Sequence, residues 1–109
     1  MLIFRHEDGG KLASPEQMQV WMQMTMDWIG GIAAQNKLVS TGSGLAFDDS
    51  RVVGHNNVVT NGPYTEIKEL IGGYSVIKAN TYEDAIELAK GCPIFESGGN
   101  VEIREVVPM

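Results

Sequence analysis

Leu2, Phe4 and His6 alternate with Ile3 and Arg5 at the start of the chain. That is the period of two expected of a β-strand, with apolar groups on both faces. Such a strand is expected to be central and covered on both sides. A loop around Asp8, Gly9 and Gly10 follows. Ser14-Pro15-Glu16-Gln17 then has the features of a helix start: Ser14 as cap, Pro15 in the first turn, and Gln17 closing a capping box. Met18, Trp21, Met22, Thr25, Trp28, Ile29, Ile32 and Ala33 recur at helical spacing, which predicts a long helix over residues 15–36. If Gly30 and Gly31 are internal, each weakens it by roughly 1 kcal/mol relative to alanine, or permits a bend or a close approach to a sheet.

Residues 38–47 contain Thr41-Gly42-Ser43-Gly44 and predict a short irregular strand that flattens or bulges at its glycines. Arg51-Val52-Val53 and Asn57-Val58-Val59-Thr60 read as two arms of a hairpin, turned by Gly54, His55 and Asn56. Asn61-Gly62-Pro63-Tyr64 reads as a second tight turn, residues 65–70 as a helical turn or loop, and residues 74–79 as a strand. Thr81 caps a second helix, with Tyr82, Ala85, Ile86 and Ala89 on one face. Gly91 and Pro93 stop it. Residues 101–106 alternate as a last strand.

This order is α+β. It matches a ferredoxin-like βαββαβ pattern with an extra β-hairpin, in a single domain of 109 residues. Two helices cover only one face of a four-stranded sheet. The other face also carries apolar residues, and a second copy of the same sheet is the simplest cover. A homodimer is therefore expected.

Composition narrows the function. The net charge is −6, and the eight Lys and Arg residues are scattered, so neither nucleic acid nor a membrane surface is an expected partner. The single cysteine, Cys92, rules out a disulfide within the chain. With no signal-peptide core or membrane-length apolar run, a cytoplasmic location is expected. Neither the two histidines with Cys92 nor the glycine pairs show metal-ligand or phosphate-loop spacing. No metal or cofactor is expected.

The run from Asn61 to Tyr74, Asn-Gly-Pro-Tyr followed by Glu66, Lys68, Glu69 and Gly72-Gly73-Tyr74, resembles the signature of the YCII-related, DGPF-type proteins. Leu12, Ser14-Pro15-Glu16 and Met18 fit the same pattern upstream, and Gly98-Gly99, Val101-Glu102 and Arg104 fit it downstream. The resemblance spans nearly the whole chain. It implies a dimeric α/β barrel of two facing sheets around a cleft, and a role in signalling or stress response with no assigned chemistry. Asn61 stands where the family has Asp, and Tyr64 where it has Phe. Asn keeps the turn-forming side chain but cannot serve as a general base.

Candidate site residues follow from chemistry and position. Asn61, Gly62, Pro63 and Tyr64 form a rigid turn, or the lip of a ligand pocket with Tyr64 supplying a ring and a hydroxyl. Lys68 and Glu66 lie on a solvated face or point into a dimer cleft. Arg5 has the planar fork that suits a carboxylate ligand, or forms a structural ion pair. Glu66 and His6 are the candidate acids or bases. Three function classes remain: a dimer that binds a small organic molecule in the cleft between its sheets, with the turn at Asn61 to Tyr64 and Arg5 as contributors; a cofactor-independent isomerase or lyase; and an interaction protein with a filled barrel.

Overall fold

The computed structural model describes residues 1–7, 14–45, 51–61 and 69–108. The first strand is β1 (Leu2–Glu7), followed by helix α1 (Pro15–Ala34) and strand β2 (Leu38–Gly44). A hairpin of β3 (Arg51–Val53) and β4 (Val59–Asn61) precedes β5 (Glu69–Ile77), α2 (Tyr82–Ala89) and β6 (Asn100–Ile103).

Local chemistry sets the helix ends. The Ser14 hydroxyl accepts the Gln17 amide at 3.1 Å, and Pro15 opens α1. Asn36 terminates it in the left-handed region at φ 64°, its amide donating to the Ala33 carbonyl at 2.9 Å. At α2 the Thr81 hydroxyl accepts the Asp84 amide at 3.1 Å. The helix runs unbroken through Gly30 and Gly31, where an added Cβ meets nothing within 4 Å. These two glycines therefore permit no close approach to the sheet.

Four strands form one sheet in the order β2-β5-β1-β6, every neighbouring pair antiparallel, while β3 and β4 pair with each other. Leu2 lies opposite Ser75 and Ile103, and Phe4 opposite Gly73 and Val101. These residues point to the helices. Phe4 meets Trp28 of α1 edge to face at 5.9 Å, and the Trp28 indole donates to the Leu88 carbonyl at 2.9 Å, tying α1 to α2. The core is small: Leu2, Ile32, Ala85, Ala89, Cys92, Pro93 and Ile94 are its buried apolar side chains among the residues described. Alternation sends Ile3, Arg5, Ile71, Tyr74 and Val76 to the opposite face, away from both helices.

Five expectations change. The second arm of the hairpin is Val59–Asn61 and not residues 57–60, because His55–Asn57 form the 3-10 turn and Asn61 pairs with Arg51. The α1 face toward the sheet is Trp21, Met24, Thr25, Trp28, Ile29 and Ile32, whereas Met18 and Met22 are 53% and 62% exposed and Ala33 is exposed. Apolar residues cover more than half of the helix circumference, with Gln19, Gln23 and Asp27 on the remaining face, so spacing alone did not single out the buried stripe. On α2, Tyr82 and Ile86 are exposed while Ala85 and Ala89 are buried. Glu69 and Leu70 belong to β5, not to a helical turn, because their backbones pair with Glu7 and His6 of β1. Strand pairing outweighs the local preference there. The last strand ends at Ile103, opposite Leu2, where β1 itself begins. Among the described residues, no helix is long and apolar enough to cross a membrane.

Candidate functional site

Between α1 and the sheet lies a cavity of about 320 Å³. One wall is β1, which contributes Phe4 and His6. The floor is the bulged part of β2 with β5: Thr41, Gly42, Ser43 and Gly44 beside Gly72, Gly73, Tyr74 and Ser75. Trp21, Thr25 and Ile29 of α1 face it, and a 3-10 helix over Pro93–Ser97 closes one side with Pro93, Ile94 and Ser97. This combination, mainly apolar with a few polar groups, is that of a small-molecule site. A larger cavity of about 650 Å³ at the other end of the sheet mixes Lys37, Lys78 and Arg104 with Asp84 and Glu105, and is more polar.

The sequence builds this cavity through its glycines. Gly42 adopts φ 67°, and the register between β2 and β5 shifts between Ser40 and Ser43, the bulge expected from Thr41-Gly42-Ser43-Gly44. Gly73 lies where a Cβ would be 2.9 Å from the Ser43 carbonyl, so the two strands touch at backbone distance. Gly99 holds the 3-10 helix against β1 in the same way, since a Cβ there would meet the Arg5 carbonyl and Ile94 Cγ1, each at 2.6 Å.

Three of the hydroxyl protons around the cavity are directed to the backbone. Thr25 donates to the Trp21 carbonyl, Ser75 to Thr41 and Ser97 to Ile94, each at 2.8 Å. Burial pushes the Cys92 thiol pKa up, which keeps it a neutral, poor nucleophile. Burial pushes the His6 imidazole pKa down, so it is uncharged near neutral pH and able to accept a proton.

The His6 shift has a consequence for stability. Its folded pKa lies below its unfolded value of about 6.5, so the unfolded chain binds the proton first. The stability His6 permits is full above that value and is lost as pH falls from it toward the folded pKa. We expect the unfolding free energy of the wild type to fall more steeply between pH 6.5 and 5 than that of His6→Gln, by at most about 1.4 kcal/mol per pH unit. Urea titrations of both proteins across that range check this, and parallel slopes would contradict it.

Arg5 takes the other side of the sheet. Its Nη2 donates to Glu102 Oε1 at 3.1 Å, and Arg104 donates to the same carboxylate. Arg104, then Arg5, hold the Glu102 pKa below the usual carboxylate range. Arg5 and His6 therefore never share a site within one chain. Asn61 is the last residue of β4, paired with Arg51. Gly62, Pro63, Tyr64, Glu66 and Lys68 lie outside the described residues. His55 is exposed in the 3-10 turn of the hairpin.

Sequence reasoning missed Trp21, Thr25 and the glycine floor as cavity residues. The glycine clusters in β2 and β5 were the only signal, and they read equally well as strand irregularity. Among the described residues, no group of three or more His, Cys, Asp or Glu side chains is placed to hold a metal. Compared with protein families, the chain matches the YCII-related domain over residues 1–109. No curated protein matches it.

Proposed function

The chain belongs to the YCII-related family, and on that premise we propose that it is a ferredoxin-like subunit of a homodimer that binds a small organic molecule, in signalling or stress response. The observation that carries the binding reading is the cavity of about 320 Å³ between α1 and the sheet, with His6 on its wall. Its volume falls at the lower end of the range for ligand sites, roughly 300–1,000 Å³. The dimer is supported by the sheet face opposite the helices, which presents Ile3, Tyr74 and Val76 half-buried and Ile71 41% exposed. A second sheet laid on this face removes that apolar surface from water. Arg5 and Glu102 then lie between sheets, and the ligand site is on the helix side of each, where the cavity is, instead of in the expected cleft between sheets.

Gly44→Val tests the cavity directly. Gly44 pairs with Gly73 and so points to the helix side, and the nearest atom to an added Cβ is 3.8 Å away. The variant is expected to fold, because valine suits a strand, and to fill the cavity. Native mass spectrometry of freshly purified wild type should show a dimer, and a screen of small organic molecules should raise its melting temperature by mass action. Gly44→Val should remain dimeric and lose at least about nine-tenths of that stabilisation. A monomeric wild type would sink the facing-sheet assembly, and equal stabilisation of both proteins would sink the cavity as the site.

A second reading, a cofactor-independent isomerase or lyase, is favoured by one observation. A neutral imidazole on the cavity wall is the right species to abstract a proton from a bound substrate. In that case His6→Asn should lower turnover by about 10²–10⁴-fold with ligand affinity little changed.

A further inference from the structure

We propose that the cavity is a slot for an uncharged, planar ring compound, laid on the glycine floor of β2 and β5, faced by Trp21 and hydrogen-bonded by His6; this rests on the reading of the cavity as a ligand site. Shape is the first argument. Gly42, Gly44, Gly72 and Gly73 line the sheet side among Thr41, Ser43, Tyr74 and Ser75, and where they stand the floor is bare backbone. At Gly73 the close strand contact demands glycine, but at Gly44 it does not: a Cβ would stand 3.8 Å from its nearest neighbour, the Gly72 carbonyl. The missing side chain at Gly44 thus leaves room that packing does not require. Phe4, 3.7 Å from the Cβ position of Gly73, borders the floor, and Trp21 and Ile29 stand on the helix side. Aromatic rings and flat backbone suit the faces of a planar ring.

Charge is the second argument. Among the described lining residues there is no carboxylate, lysine or arginine. The hydroxyls of Thr25, Ser75 and Ser97 already donate to carbonyls, which leaves those of Thr41 and Ser43 as the lining hydroxyls open to a ligand, neutral donors without a compensating positive charge. An ionised ligand would lose its water with no charged partner among the described lining residues to offset the loss. The volume equals that of about ten water molecules, room for one or two fused rings.

Three probes of one size separate these features: 2-naphthol, 2-naphthoate and decahydro-2-naphthol, titrated by calorimetry into the full-length protein at pH 7.5. We expect 2-naphthol to bind at least about tenfold more tightly than either analogue, a difference of about 1.4 kcal/mol. Gly44→Val should weaken 2-naphthol at least tenfold without lowering the melting temperature of the free protein, and His6→Phe should weaken it while leaving the fold intact. If 2-naphthoate or the saturated alcohol binds as well, and Gly44→Val still blocks it, the ligand class is overturned and the cavity survives as a site. If Gly44→Val leaves 2-naphthol binding unchanged, or no probe binds, the slot itself is overturned.

Discussion

Gly42→Ala should destabilise the protein by about 2–5 kcal/mol, a large part of the total of roughly 5–15 kcal/mol expected for a domain of this size. Two effects add. Gly42 sits at φ 67°, where a residue with a Cβ pays about 1–2 kcal/mol. The new Cβ would also stand 1.8 Å from the Tyr74 carbonyl oxygen and 2.6 Å from its carbon, both backbone atoms of the neighbouring strand. No rotamer change relieves that contact, so β2 must move away from β5 or the bulge must unwind. Gly44→Ala, two residues on, is the control, because its Cβ meets only an ordinary contact at 3.8 Å. It should be neutral, or stabilising by up to about 1 kcal/mol. Urea unfolding of the two variants reads the contrast. Equal midpoints would mean that the bulge at Gly42 is not held as described. Gly42 also lines the cavity, so a folded remnant of Gly42→Ala should bind ligand poorly as well.

Leu2→Ala should cost about 2–5 kcal/mol, by lost transfer free energy and the void left behind. Leu2 is fully buried at 0% exposure, between Ser75 and Ile103 on the helix-covered face. It sits in a central strand with few large buried neighbours, so little can collapse into the gap. For a chain of this size the melting temperature should fall by roughly 10–30 °C. The urea midpoint should fall with an unchanged m value, since the unfolded chain exposes nearly the same surface. A loss under about 1 kcal/mol would show that solvent or a flexible neighbour already shares the site. The two substitutions probe opposite features: one adds an atom where backbones touch, the other removes atoms where the core is closed.

Patterns with a strong local cause were legible before any coordinates. Ser14-Pro15-Glu16-Gln17 began α1 because a cap and a proline act within one turn. Thr81 began α2 for the same reason. Arg5 and His6 were placed on opposite faces by the period of a strand, and the sheet keeps them there. The bulge at Gly42 was legible because glycine alone enters that region of φ without strain. Family membership was legible too, from a combination of short motifs spread along the chain.

What the amino-acid sequence by itself determined, then, was the order of helices and strands, their starting points and the alternation of faces, all consequences of interactions a few residues long. Tertiary structure alone decided the rest. Glu69 and Leu70 became strand only because β1 lay alongside to pair with them. The buried stripe of α1 was selected from a broad apolar arc of the helix by where Phe4 and the sheet stood. The cavity arose from residues more than ninety positions apart, from Phe4 to Ser97, brought together by the order β2-β5-β1-β6 and by backbones close enough to exclude a single methyl group. A void has no local signal, because it consists of side chains that are absent, and only the assembled strands and helices define where their absence leaves space.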